Sequence, residues 1–123
     1  MVRDFDLIRR IMLDIQALPA NSPAAPISYP DEYDQAVVNE HMSLLIEAGL
    51  IHGKVLRTMS GIAQVNSRGL TWSGHDFMDI AKKETLWARA KQIAVERGLS
   101  LTVEVLTGAL KEALKEAAAG LLS

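Results

Sequence analysis

The stretch HMSLLIEAGLIHGKVLR, residues 41–57, predicts the place where a helix passes into a β-strand. Its first half has apolar residues at helical spacing and ends at Gly49, a residue type that commonly follows the last turn of a helix. From Leu50 onward the pattern is typical of a strand. The sequence therefore predicts that a helix and a strand meet at Gly49.

Two helices separated by a proline-rich loop are predicted before this junction. Residues 4–18 have apolar positions at helical spacing, and Asp4 can cap them. Residues 19–30 hold four prolines and predict a loop with a short extended piece at 27–29. A second helix is predicted over 31–48, with an acidic first turn that suits the helix dipole. Its buried face is expected to comprise Tyr33, Val37, His41, Leu44, Leu45 and Ala48.

A ribbon and further helices are predicted after the junction. Residues 50–72 have the pattern of two strands joined by a turn. Thr71 and Ser73 are both able to cap the helix that follows. Helical sequence then continues or restarts before Ser100, which can cap a last helix over 101–119.

The composition is that of an ordinary globular protein. The chain has 123 residues, of which 49% are hydrophobic and 23% are charged. It contains no cysteine, which excludes disulfides and thiolate chemistry. Charged residues interrupt the N-terminal apolar runs, so no signal peptide is predicted. No apolar run approaches the ~20 residues that a membrane span needs. We therefore expect a soluble, cytoplasmic protein that does not bind a membrane.

The net charge of −2 hides a division of charge along the chain. Residues 11–53 contain six acids and neither Lys nor Arg. Residues 54–75 contain three basic residues and no acid: Lys54, Arg57 and Arg68. An acidic block beside a small basic block bears on the partners of a protein rather than on its fold.

The order of the predicted elements is typical of a winged helix-turn-helix. Two local patterns support this assignment. One is L-x-x-x-G-L-I from Leu45 to Ile51, where the second helix leads into the ribbon. The other is L-T-x-x-G at Leu70, Thr71 and Gly74, where the ribbon leads into the next helix. The predicted fold class is mainly α with a small β-ribbon, a winged helix-turn-helix followed by C-terminal helices.

Three longer segments resemble a small family of bacterial and phage proteins. They are VRDFDLIRRIMLDI, NEHMSLLIEAGLI and GLTWSGHDFMD. The family is a domain of unknown function, and the resemblance covers most of the chain. It implies a winged-helix-like fold and a phage or prophage association. It supplies no catalytic residues to carry over.

Two sets of side chains are candidates for contacts with double-stranded DNA. The second helix offers Gln35, Asn39 and Ser43, and the ribbon offers Lys54, Arg57 and Arg68. Amide side chains can pair with adenine in the major groove. Lys and Arg supply the phosphate contacts that dominate DNA affinity. These residues predict a DNA-binding, transcription-regulator-like protein.

A protein partner is the alternative prediction. The missing basic residues on helix 31–48 oppose binding of DNA there, because carboxylates repel phosphates. The helix would instead dock on a basic host protein, and Ile46 on its polar face suits such an interface. The residues of this alternative site are Glu32, Glu40, Ile46 and Glu47.

The sequence predicts no enzyme, no cofactor and no metal site. His41, His52 and His75 match no spacing of metal ligands. His41 falls on the apolar face of its helix, where a buried, hydrogen-bonded histidine is expected. His75 and Asp76 are expected near the start of the helix that follows the ribbon. There is neither a nucleophile with its base nor a glycine-rich phosphate loop.

The C-terminal part is predicted to be a helical extension. The winged-helix domain spans 1–82, and the extension spans 83–123. An apolar stripe on the last helix comprises Leu106, Leu110, Ala113 and Ala117, with Leu114 and Leu121 beside it. Such a stripe packs either within its own chain or against a second copy. The second alternative predicts a homodimer through residues 101–122.

Overall fold

The computed structural model describes residues 1–120, which form five α-helices and one two-stranded β-ribbon. The elements are α1 (Phe5–Gln16), α2 (Gln35–Glu47), β1 (Ile51–Thr58), β2 (Gly61–Leu70), α3 (Trp72–Ala81), α4 (Glu84–Glu96) and α5 (Val103–Ala118). The predicted class, mainly α with a small β-ribbon, is confirmed. Leu121 and the end of the predicted dimerisation segment lie outside the described residues.

The chain divides into two compact units between His75 and Asp76. The division falls inside α3, earlier in the chain than the predicted boundary at 82/83. The first unit contains α1, α2 and the ribbon, and the second contains α4 and α5. None of the helices over residues 1–120 is both long enough and apolar enough to cross a membrane.

Helix α1 forms as predicted. The Asp4 side chain accepts hydrogen bonds from the backbone N–H groups of Asp6 and Leu7, at 3.0 and 3.1 Å. This cap satisfies two of the donors that a helix start leaves unpaired. The buried face comprises Phe5, Leu7, Ile8, Ile11, Met12 and Ile15.

Helix α2 begins later than predicted, at Gln35. Residues 31–34 form a turn instead, in which the Tyr29 carbonyl accepts hydrogen bonds from the N–H groups of Glu32 and Tyr33. Asp34 is extended at the N-cap position, so the acidic residues precede the helix rather than forming its first turn. The loop before it contains no helix, and its extended contact lies at Ala25 rather than at 27–29.

The buried face of α2 is rotated from the prediction. Its apolar core positions are Val38, Met42 and Leu45, whereas Ala48 is exposed. The burial extends to Asn39 and Ser43, each only 5% exposed. Both strands of the ribbon contact α2, and Arg57 of β1 reaches toward Ser43, while Gln35 donates a hydrogen bond to Asn39. The expectation that this polar face is open is therefore wrong for Asn39 and Ser43.

The two sequence patterns meet at the Thr71 hydroxyl. It donates a hydrogen bond to the Gly49 carbonyl (2.5 Å) and accepts one from the Gly74 N–H (3.0 Å). The Thr71 N–H donates to the Leu50 carbonyl (3.0 Å). The predicted helix end at Gly49, where φ is +72°, is confirmed, and of the two predicted caps, Thr71 and Ser73, it is Thr71 that holds the start of α3.

The ribbon is antiparallel, with Ile51 opposite Leu70 and Thr58 opposite Gly61. Its inner face includes the buried Val65 and Ser67, and it packs on α1 and α2. Because side chains alternate along a strand, the neighbouring positions lie on the other side. We call these the outer face: Lys54, Leu56, Gln64, Asn66 and Arg68.

In the second unit, α4 and α5 pack against each other. The stripe residues Leu106, Leu110 and Ala113 are buried in this unit, which agrees with packing within the chain. The homodimer through residues 101–122 stays a prediction. The Arg89 guanidinium binds both oxygens of Glu116, at 2.8 and 3.0 Å.

The cap of α5 differs from the prediction. Thr102, not Ser100, stands at the N-cap and accepts a hydrogen bond from the Val105 N–H at 3.0 Å. Both hydroxyl residues suit an N-cap, so composition alone does not choose between them.

Replacing Gly74 with alanine should destabilise the first unit. A Cβ at this position would lie 2.0 Å from the Leu50 carbonyl oxygen, so backbone would have to move. We expect a loss of about 1–3 kcal/mol in the free energy of unfolding, measured by urea denaturation. Gly108→Ala is the matched control, because its Cβ would meet nothing within 4 Å. It should stabilise α5 by about 0.5–1 kcal/mol, and equal effects of the two changes would contradict the packing at Gly74.

Replacing Thr71 with valine should separate the effect of its hydroxyl from that of its shape. The Gly49 carbonyl and the Gly74 N–H would each lose a partner, which should cost about 1–3 kcal/mol. Thr71→Ser keeps both hydrogen bonds and should lose much less, as measured by the same denaturation. A valine variant as stable as the wild type would contradict the role of the hydroxyl, and a serine variant as unstable as the valine variant would show that the methyl group contributes as much as the hydroxyl.

Candidate functional site

A cleft of about 510 Å³ opens on the outer face of the ribbon. Its lining residues are Ala24, His52, Gly53, Lys54, Asn66 and Arg68. Two of the three predicted basic residues, Lys54 and Arg68, are thus brought together at one site. His52 and Asn66 were not predicted as site residues.

An irregularity in the ribbon creates this arrangement. His52 lies opposite Gly69 but the next residue, Gly53, lies opposite Ser67, so Arg68 is an extra residue in β2. Such a bulge redirects side chains locally. Here it leaves Arg68 exposed at the cleft, beside the cross-strand pair of Lys54 and Asn66.

Ser67, on the inner face of the ribbon, stabilises the cleft through its hydrogen bonds. Its buried hydroxyl donates a hydrogen bond to the His52 carbonyl at 2.7 Å, across the irregular point of the ribbon. Its backbone N–H and carbonyl pair with Ala25 through two hydrogen bonds of 3.0 Å. This pairing brings the proline-rich loop, with Ala24, to the side of the cleft.

The electrostatics of the cleft favour an anion. Lys54 and Arg68 are exposed and cationic, and no lining residue is acidic. Arg matches the geometry of a phosphate through two N–H groups, and Lys adds a compact positive charge. Asn66 adds an amide that can donate or accept a hydrogen bond. The site is suited to bind a phosphate group.

The outer face continues from the cleft toward the turn of the ribbon. Gln64 Nε2 donates a hydrogen bond to Asn66 Oδ1 at 2.9 Å. Leu56 lies opposite Gln64 and is 59% exposed. The alternation of residues along β2 is enough to predict that Gln64 and Asn66 lie on one face. That Lys54 lies on the same face depends on the pairing of β1 with β2, which the sequence does not show.

Arg57 lies apart from this group. It is opposite Ile62, beyond a second irregularity of the ribbon. Its Nη2 reaches toward Ser43 Oγ of α2, at 3.5 Å, rather than toward the cleft. The three predicted basic residues therefore do not form a single patch.

The predicted base-reading residues of α2 are engaged within the protein. Gln35 Nε2 donates to the Ile27 carbonyl and to Asn39 Oδ1, both at 2.9 Å. Asn39 and Ser43 are both buried, and Arg57 of the ribbon reaches toward Ser43. The predicted reading of bases by Asn39 and Ser43 would therefore need both side chains to become exposed, because each is only 5% exposed in the structure.

The residues of the alternative protein-binding site have different surroundings. Glu32 forms an ion pair with Arg10 at 2.5 Å, and this guanidinium lowers the pKa of Glu32. Ile46 is half-buried and lies close to Gly53 of the ribbon: a Cβ added to Gly53 would be 3.1 Å from Ile46 Cδ1. Glu40 and Glu47 remain exposed on α2. Ile46, the apolar residue of this alternative site, therefore already packs in part against the ribbon.

The Arg10 side chain also stabilises the loop before α2. Its guanidinium lies 4.1 Å from the centre of the Tyr29 ring, and the Tyr29 hydroxyl donates a hydrogen bond to Asp14. Burial, followed by the bond to Asp14, raises the pKa of Tyr29. This cluster holds the end of the proline-rich loop against α1.

The histidines have separate environments. His41 is fully buried; its Nε2 accepts a hydrogen bond from the Asp4 N–H at 2.9 Å, and its Nδ1 lies 2.8 Å from the Val37 carbonyl. The prediction of a buried, hydrogen-bonded His41 is confirmed. His52 lines the cleft, and His75 lies within α3. In the part of the chain that the structure describes, no three potential ligand side chains come together to hold a metal ion.

Comparison with known proteins assigns the family. Residues 2–100 match the family described as Hypothetical protein (DUF2513). The chain is 33% identical over 112 residues to an uncharacterized protein of Haemophilus influenzae, covering 86% of this chain and 89% of that protein. No solved structure matches the chain. The predicted resemblance to a small family of unknown function is confirmed, because the match extends over most of the sequence. The chain belongs to the DUF2513 family.

Proposed function

We propose that this protein binds double-stranded DNA through the outer face of its ribbon and acts as a transcription-regulator-like protein. The observation that carries the proposal is the pairing of Lys54 and Arg68 at one cleft that has no acidic residue in its lining. Exposed Lys and Arg side chains neutralise phosphates and release counterions, which supplies most of the affinity of non-specific DNA binding.

The ribbon is a better candidate for the DNA-contacting element than α2. A two-stranded ribbon fits the major groove as an α-helix does, and several DNA-binding folds use strands in this way. The outer face carries Lys54, Gln64, Asn66 and Arg68, which are types of side chain that contact phosphates and bases. In contrast, the exposed side of α2 carries the carboxylates of Glu40 and Glu47.

The order of elements supports a winged-helix-like arrangement for the first unit. Helix α1, helix α2, the ribbon and then α3 follow the order of a winged helix, with the ribbon as the wing. The turn-rich segment 17–34 would stand in place of the middle helix. In this proposal the wing makes the main contact with DNA, and α2 packs against the inner face of the wing.

Binding is expected to be weak and steeply dependent on salt. With two or three phosphate contacts per chain, the logarithm of the binding constant should fall by about 0.9 per contact for each tenfold rise in salt. Fluorescence anisotropy with a labelled duplex of random sequence measures this slope. Lys54→Ala and Arg68→Ala should each weaken binding to all sequences and reduce the slope by about 1.

Lys111→Ala is the matched control for charge. It removes the same positive charge from an exposed position on α5, in the second unit, and should leave the slope unchanged. If this control weakened binding as much as Lys54→Ala, attraction would be a property of the whole chain rather than of the cleft. If the wild-type protein bound no duplex even at low salt, the proposal would be overturned.

A further inference from the structure

We infer that Gln64, Asn66 and Leu56 together form a reader for an A·T base pair in the major groove. The inference rests on the proposed function, since it assigns a sequence preference to the same outer face. It concerns three residues whose types and positions the phosphate contacts do not explain.

The hydrogen bond between the two amides fixes what they can offer to a ligand. Gln64 Nε2 donates to Asn66 Oδ1 at 2.9 Å, which uses one polar atom of each side chain. Gln64 Oε1 remains as an acceptor and Asn66 Nδ2 remains as a donor. The pair therefore presents the acceptor Gln64 Oε1 and the donor Asn66 Nδ2 from adjacent positions of the same strand face, together with the second N–H of Gln64 Nε2.

Adenine has the complementary pattern on its major-groove edge. Its N6 amino group donates a hydrogen bond and its N7 accepts one, which is why Asn and Gln commonly pair with this base. Gln64 Oε1 would accept from N6, and Asn66 Nδ2 would donate to N7. Guanine presents two acceptors at the same edge, so it would leave Gln64 Oε1 without a donor.

Leu56 would contact thymine, the partner base of adenine. It lies directly opposite Gln64 in the ribbon and is 59% exposed, on a face that is otherwise polar. Thymine differs from cytosine in the major groove by its C5 methyl group, which apolar side chains contact. An exposed leucine beside an amide pair thus matches the methyl group of thymine beside adenine.

The positions of the cations agree with this assignment. Lys54 lies opposite Asn66, and Arg68 follows two residues further along β2. Phosphate contacts position a protein on DNA, whereas contacts to base edges give the sequence preference. The cleft would hold a phosphate at one side of the reader, while the amides and Leu56 lie toward the turn of the ribbon.

The test compares four short duplexes by anisotropy at low salt. One has mixed A·T sequence and one has mixed G·C sequence; in the third, 7-deazaadenine replaces adenine, and in the fourth, uracil replaces thymine. The wild-type protein should prefer the A·T duplex by roughly 5- to 150-fold. The 7-deaza analogue, which lacks the N7 acceptor, and uracil, which lacks the methyl group, should each remove part of this preference.

The variants assign each part of the preference to a residue. Asn66→Ala should bind the adenine and 7-deazaadenine duplexes equally well, because Asn66 Nδ2 is the donor to N7. Gln64→Ala removes the acceptor for N6 and should lose part of the preference for the A·T over the G·C duplex. Leu56→Ser should no longer distinguish thymine from uracil. Met59→Ser is the control, since Met59 is a fully exposed apolar residue in the turn and outside the outer face; it should keep the wild-type preferences.

The outcomes separate this inference from the proposed function. Equal binding of all four duplexes by the wild-type protein, together with a loss on Lys54→Ala, would overturn the A·T reader and leave phosphate binding intact. The same would follow if Asn66→Ala kept its sensitivity to 7-deazaadenine. Absence of binding to every duplex would overturn both.

Discussion

The Thr71 hydroxyl is the contact on which the geometry of the first unit depends. It joins the carbonyl of Gly49, where α2 ends, to the N–H of Gly74, in the first turn of α3. The Thr71 backbone bonds to Leu50, which precedes β1. One side chain thereby holds the end of a helix, the base of the ribbon and the start of the next helix. Gly74 is needed at this point because a Cβ there would collide with the Leu50 carbonyl.

The position of the base of the ribbon also determines which face of the ribbon is exposed. The ribbon packs on α2, and Asn39 and Ser43 of this helix are buried, although a helix that reads DNA would need to expose them. The same packing turns Lys54 and Arg68 to the other side, where they line the cleft. The burial of polar residues on α2 and the exposure of the cations on the ribbon are therefore two results of one arrangement. In the proposed function, this arrangement moves the DNA contact from the helix to the ribbon.

The sequence predicts features that depend on neighbouring residues better than those that depend on packing. The cap at Asp4, the helix end at Gly49 and the cap at Thr71 are set by local chemistry, and the structure has all three. The buried face of α2 was predicted only in part: His41 and Leu45 are buried, but helical spacing does not show that Asn39 and Ser43 are buried too. The cleft was not predicted either. It needs the bulge at Arg68 and the pairing of Ala25 with Ser67, and neither has a pattern in the sequence.

The distribution of acidic residues gives the proposed complex an orientation. Glu32 is neutralised by Arg10, whereas Glu40 and Glu47 remain exposed on α2. Carboxylates on that side repel phosphates, while Lys54 and Arg68 attract them on the outer face of the ribbon. A duplex that approaches the first unit is thus favoured at one face and disfavoured at another. The missing basic residues between positions 11 and 53, which oppose DNA binding by α2, therefore favour binding through the ribbon.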